Sequence, residues 1–224
     1  MPVCKKVNKD FFKKWSPEMA YVLGFFMADG SLDANRRGSH YLSIQICDKE
    51  LLYAIRDALG SDHKISHRKR FGNESDLYRL QIGSKEMFND IKKLGVYEQK
   101  TYTMDVPSVP DKYFGDFVRG YFDGDGHVWV GIIHKKRRTQ HTVIQTGFTS
   151  CSGNFLAGLR GLFLKKGMGK GCIYNKKNAS CLKYSIEDSL LLYNLMYTGF
   201  CDRLFLQRKK VIFDNFFKKY KMRP

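Results

Sequence analysis

The chain has 224 residues, 43% of them apolar and 14% aromatic; that is too rich in core-forming side chains for a disordered segment, and long enough for one large domain or two small ones. Lysine and arginine number 39 against 22 acids, a net charge of +17, which points to a polyanionic partner because each phosphate neutralised by a cation releases condensed counterions. The six cysteines form no CxxC pair, which argues against a zinc site or a disulfide framework, and the apolar run over 19–28 is too short to cross a bilayer.

A basic arm leads to Ser16-Pro17, an N-cap hydroxyl followed by proline at the first helical position, so a helix should start here. It runs through Val22–Gly30 and is apolar nearly all round, which predicts burial, with Gly30 placed to end it in the left-handed conformation. Two strands follow, and in the second Leu42, Ile44 and Ile46 point one way while Ser43 and Gln45 point the other. After a helix and a further strand, Tyr78, Leu80 and Ile82 alternate with Arg79 and Gln81, and a closing helix completes the unit. Pro107–Pro110 marks a seam, and Pro110-Asp111 should open the next helix as Ser16-Pro17 opens the first.

From that seam the pattern restarts. Val22-Leu23-Gly24-Phe25-Phe26-Met27-Ala28-Asp29-Gly30 has its counterpart in Val118-Arg119-Gly120-Tyr121-Phe122-Asp123-Gly124-Asp125-Gly126. Leu42–Ile46 matches Thr146–Ser150, Tyr78–Ile82 matches Leu182–Ile186 with Lys183 and Ser185 outward, and Tyr97–Lys100 matches Leu206–Lys209. The order never changes, so two copies of one domain are expected, 1–109 and 110–224, each reading helix, two strands, helix, two strands, helix.

Gly24 and Ala28 are four apart, as are Gly120 and Gly124; small residues at that spacing share a helix face and let a second backbone approach closely. If the two helices pack along these faces, Asp29 and Asp125 end side by side. One aspartate at a helix end usually bonds its own turn. Two at matching places in a duplicated basic chain would repel unless cations sit between them, and hard divalent ions such as Mg²⁺ take carboxylate, carbonyl and water oxygens.

The paired segments resemble the LAGLIDADG motif, each matching at four of nine positions: Gly24, Ala28, Asp29 and Gly30, then Gly120, Asp123, Asp125 and Gly126. The likeness to single-chain homing endonucleases covers roughly 15–217; Met27 replaces the motif's first aspartate, but Asp29 supplies the second, which is the family's metal ligand. It implies an α+β protein of two αββαββα halves packed through the motif helices, with antiparallel sheets forming a saddle over DNA. By the same resemblance Asp29 and Asp125 bind Mg²⁺, or Mn²⁺ or Ca²⁺ in the same sites, with the carbonyls of Ala28 and Gly124. Lys100 and Lys209 align with a lysine near the attacking water, and Asp48 and Ser152 take the polar position after the second strand. The implied activity is site-specific cleavage of both strands of double-stranded DNA, leaving short 3′ overhangs.

The strand faces carry Ser43, Gln45, Arg79 and Gln81 in one half and Gln145, Thr149, Lys183 and Ser185 in the other, side-chain types that read base edges in the major groove. Arg36 and Arg37, Lys64, Arg68 and Arg70, the run Lys135-Lys136-Arg137-Arg138, and Lys176 are candidates for phosphate contact. Because the two faces differ, a monomer recognising a long non-palindromic site is expected, with no obligate protein partner. The alternative is an RNA-splicing maturase or a non-cleaving regulator on the same fold. With no basic–apolar–small leader and no protein-splicing junction, a freestanding or intron-encoded intracellular protein is expected, in the cytoplasm with the nucleoid or in an organelle.

Overall fold

The computed structural model describes residues 5–70, 72, 74–98, 103–133, 136, 138–199 and 203–222. Helix α1 (Pro17–Asp29) is followed by strands β1 (Gly30–Ala34) and β2 (His40–Ile46), helix α2 (Lys49–Ala58), strands β3 (Ser66–Arg68) and β4 (Leu77–Gly83), and helix α3 (Lys85–Lys93). The order then repeats as α4 (Phe114–Asp125), β5 (Gly126–Ile133), β6 (His141–Ser150), α5 (Gly153–Lys165), β7 (Cys172–Asn175), β8 (Ser180–Tyr184) and α6 (Ile186–Tyr197), with a further helix α7 (Gln207–Lys219). Two four-stranded antiparallel sheets result, in the orders β1-β2-β4-β3 and β5-β6-β8-β7. The αββαββα plan read from the sequence is therefore present twice.

Local chemistry explains the element boundaries. Ser16 Oγ accepts from the Met19 amide at 3.1 Å with Pro17 in the first turn of α1, as its sequence predicts. Ser84 caps α3 in the same way through Met87, and α2 and α3 each bury one apolar stripe: Leu51, Leu52 and Ile55, then Met87, Phe88 and Ile91. Each sheet lays its apolar face on the helices: Leu42, Ile44, Leu80 and Ile82 in the first sheet, Ile144, Phe148 and Leu182 in the second, all buried in one continuous core.

Three expectations need correction. Gly30 and Gly126 are extended, with φ of −90° in both, because the chain passes straight from each helix into a strand. Glycine is needed there for space: a Cβ would fall 2.4 Å from the Phe26 ring and 2.2 Å from the Phe122 ring. Pro110-Asp111 opens a single 3-10 turn, Asp111–Tyr113, and α4 starts only at Phe114. The last strand match is two residues off. Leu80 pairs with Ile44 and Leu182 with Phe148, so Lys183 is the counterpart of Gln81, Cys181 that of Arg79, and Ser185 lies beyond the strand at the start of α6.

The centre of the molecule is the contact between α1 and α4. A Cβ on Gly24 would lie 2.1 Å from the Phe117 carbonyl oxygen, and one on Gly120 would lie 2.0 Å from that of Tyr21. Backbone touches backbone, and Tyr21, Phe25, Phe117 and Tyr121 close the seam on both sides. Gly24→Ala should therefore force the helices apart and lower stability by about 3 kcal/mol, the upper end of the overpacking range. Gly161→Ala is the control: it lies inside α5 with open space around it, and should raise stability by about 0.5–1 kcal/mol through helix propensity. Urea unfolding of both variants reads the difference in sign.

Candidate active site and nucleic-acid face

The contacts of Gly24 with Phe117 and Tyr121, of Gly120 with Tyr21 and Phe25, and of Gly124 with Ala28 run in the same order along both helices. The helices are therefore parallel, and their C-terminal ends meet. Asp29 is the last residue of α1 and Asp125 the last of α4; the Asp29 carboxylate lies 3.1 Å from where a Gly124 Cβ would stand. Asp29 is exposed, while Ala28, Gly124 and Asp125 are half-buried. Two carboxylates thus sit where two helix dipoles already concentrate negative potential. All the donors at this end are hard oxygens, which suit Mg²⁺ or Ca²⁺. Among the described residues no group of three or more His, Cys, Asp or Glu could hold a metal ion, so further ligands would have to be carbonyls, water or phosphate.

Among the described residues, a lysine of α7 reaches this end. Lys209, on α7, is only 6% exposed, and its Nζ donates to the carbonyls of Phe122 at 2.6 Å, Asp123 at 2.8 Å and Gly126 at 2.6 Å, with Gly124 at 3.5 Å. Burial pushes its pKa down to about 8, against the upward pull of Asp123, Asp29 and Asp125. Beside it lies a buried ionic network. Tyr21 Oη and the Leu206 amide both donate to Asp123 Oδ2, at 2.7 and 2.9 Å, and burial raises that carboxyl to about 6. Arg119 donates to the carbonyls of Met196 and Leu204 and to Asp116.

Residues 16–94 match the family model of the LAGLIDADG-like domain. That stretch, about a third of the chain, is similar to a LAGLIDADG-like domain. The resemblance read from the paired motifs is borne out, and over the whole length the fold is that of LAGLIDADG meganucleases. The meganuclease I-AabMI bound to uncleaved DNA superposes with a TM-score of 0.62 at 14% identity, covering 93% of this chain and 91% of that one. I-CpaMI bound to uncleaved DNA gives 0.57 at 15%, covering 93% and 94%, and I-SmaMI bound to uncleaved DNA with calcium ions gives 0.59 at 14%, covering 94% and 95%. In sequence, an uncharacterized protein of Methanocaldococcus jannaschii is 27% identical over 135 residues, 56% of this chain and 46% of that protein. An A-type ATP synthase chain of Methanopyrus kandleri is 27% identical over 116 residues, 52% of this chain and 11% of that one. The chain thus spans less than half the length of the curated relatives it matches.

The remaining candidates divide by place. Cross-strand register puts Ser43, Gln45, Arg79 and Gln81 on the face of the first sheet away from the core. Ser43 is buried there and accepts from Arg79 Nη2 at 3.1 Å, so it braces the arginine. Arg68 joins that face through its pairing with Leu77. Gln145, Thr149 and Lys183 lie on the matching face of the second sheet. Arg36 and Arg37 are exposed at the β1–β2 hairpin tip, Lys136 and Arg138 at the β5–β6 tip, and Lys176 at the β7–β8 tip; Lys64 is exposed before β3. Arg70 is paired with Glu74. Lys100, Lys135 and Arg137 lie outside the described residues. Among the described residues no helix is long and apolar enough to cross a membrane.

Asp48 and Ser152 have other tasks. Both oxygens of Asp48 accept from Arg208, at 3.1 and 3.0 Å, tying the first half to α7. Ser152 is fully buried; its hydroxyl donates to the Met104 carbonyl and accepts from the Phe155 amide, capping α5. The residues sequence reasoning missed are Asp123, Arg119 and Tyr21. Their signal was present, since Arg119 and Asp123 fall among the apolar residues Phe117, Val118, Tyr121 and Phe122 of α4, where buried ions need partners.

The Lys209 ammonium titrates near 8 when folded and near 10.5 when unfolded, so between those values the unfolded chain binds the extra proton. Stability should therefore rise as pH climbs through that window. Lys209→Met in the presence of a chelator should remove this rise, and should cost about 2 kcal/mol at pH 7 by stripping the carbonyls of their donor. Denaturant melts at pH 7, 8, 9 and 10 test both statements.

Proposed function

We propose that this protein is a site-specific double-strand DNA endonuclease that needs a divalent metal. One observation carries the reading: parallel packing of α1 and α4 brings Asp29 and Asp125 together at a negative pole of a chain with net charge +17. A basic protein gains nothing in solubility from such a pole, whereas bound cations would cancel the repulsion. Asp29 and Asp125 would hold them, with the carbonyls of Ala28 and Gly124. Bound there, Mg²⁺ would activate a water and stabilise charge on the phosphorus oxygens.

The chain's own groups do the rest. Lys209 holds the carbonyls of the last turn of α4 in place and offsets their negative potential, with Lys100 as its proposed counterpart in the first half. Asp48 acts by positioning Arg208 at the junction. The outward faces of both sheets read bases, and the cationic hairpin tips grip phosphate, as the DNA-bound meganucleases of the same fold support. We place the seam between the halves at 109/110, with one chain on one duplex, a non-palindromic site and short 3′ overhangs.

Asp29→Asn and Asp125→Asn should each lower double-strand cleavage at least a hundredfold with Mg²⁺ while changing DNA affinity by less than about threefold, since the carboxamide keeps the shape and loses the charge that holds the metal. Selection of cleaved duplexes from a randomised library, followed by single-turnover assays, measures this; undiminished cutting by either variant refutes the assignment. Neutralising Lys135, Lys136, Arg137 and Arg138 together should weaken binding equally across sequences. It should also flatten the slope of log affinity against log salt by about 0.9 for every phosphate no longer neutralised.

A further inference from the structure

We infer that the second sheet recognises its half of the DNA by apolar contact with thymine methyl groups, whereas the first sheet recognises its half by hydrogen bonds to base edges. The inference rests on the DNA-binding reading above and adds to it the kind of sequence each half selects.

The cross-strand pairs decide which side chains share a face. In the second sheet Trp129 pairs with Gln145, Thr149 with Cys181, Cys181 with Tyr174, and Lys183 with Cys172. Trp129 and Tyr174 therefore stand on the same outward face as Gln145, Thr149 and Lys183, and they are 45% and 53% exposed. Each aromatic is supported rather than loose. A Cβ on Gly131 would fall 2.1 Å from the Trp129 ring, so the glycine gives the indole room to lie along its strand. The Tyr174 ring lies 5.4 Å from Lys183 Nζ. The corresponding face of the first sheet presents Ser43, Gln45, Arg79 and Gln81; its apolar members are withdrawn, Tyr41 half-buried along Gly83 and Leu77 buried, so the exposed groups there are hydrogen-bonding side chains.

A tryptophan held with nearly half its surface in water is a group awaiting an apolar partner. In the major groove the prominent apolar group that base pairs offer is the thymine 5-methyl; the other groups that tell base pairs apart there are hydrogen-bond donors and acceptors. Gln and Arg, in contrast, pair bidentately with adenine and guanine. The two halves of one chain thus present two different recognition chemistries to two halves of one site.

The test uses the full chain and a duplex obtained by selection from a randomised library, with each thymine of one half-site or the other replaced by deoxyuridine. That exchange removes the methyl and keeps the hydrogen-bonding pattern. Wild-type protein should bind about three- to fourfold more weakly for each methyl removed from one half-site, the value of one buried carbon, and should be indifferent to the same change in the other. Trp129→Ala should bind the thymine duplex more weakly and lose the thymine–uracil difference, while Gln45→Ala should retain it. Equal affinity for thymine and uracil duplexes, or equal losses in both half-sites, overturns the inference while leaving DNA binding intact. Failure to bind any selected duplex overturns both readings.

Discussion

Everything in this molecule depends on two helix backbones touching. With no Cβ at Gly24 or Gly120, α1 and α4 approach until carbonyl meets Cα on both sides, and because they run parallel, both C-terminal ends and both terminal carboxylates converge. Each sheet starts at the very next residue, Gly30 or Gly126, and is extended at once. The same contact therefore sets the spacing of the acids, the placement of the two sheets and the position of their outward faces relative to the acids. A shift of an ångström at the seam would be felt at all of these.

That geometry creates an electrostatic problem, and the two halves meet it differently. In the first half Met27 occupies the position of Asp123 and is simply buried. In the second half Asp123 accepts from Tyr21 of the opposite helix and from the amide of Leu206, and Lys209 crosses the end of α4. Asp48 and Arg208 add a further bond between the halves. Met27 can make none of the contacts of Asp123, so this part of the seam is held by side chains that the two copies do not share. Removing the Asp123 carboxylate would take the acceptor from the buried Tyr21 hydroxyl and the opposing charge from Lys209, a larger loss than the intact set contributes.

The plan of the fold was legible because it rests on periodicity and repetition: period-two alternation over 42–46, the Ser16-Pro17 start and the small residues four apart all act locally. The acid pair was legible for the same reason. What escaped were features decided by distant partners. Ser152 reads as a polar residue after a strand, and only its contact with the Met104 carbonyl shows that it is interior. Gly30 reads as a left-handed stop, but it is required by the ring of Phe26 above it. Asp123 counted as a motif letter until Tyr21 and Leu206 gave it a task.

The mispaired strand carries a consequence for the outward faces of the sheets. A shift of two residues leaves every side chain on its own side of the sheet, since strands alternate with period two, so Lys183 faces outward under either alignment. Its counterpart changes, however. Under the true register Lys183 answers Gln81, and the position of Arg79 is filled by Cys181, fully buried beside the ring of His127 over Gly147. The first sheet thus keeps a guanidinium braced on Ser43 at a place where the second has no cation, while the second places an exposed indole on β5. The halves share a backbone and have parted in chemistry further than their aligned sequences indicate.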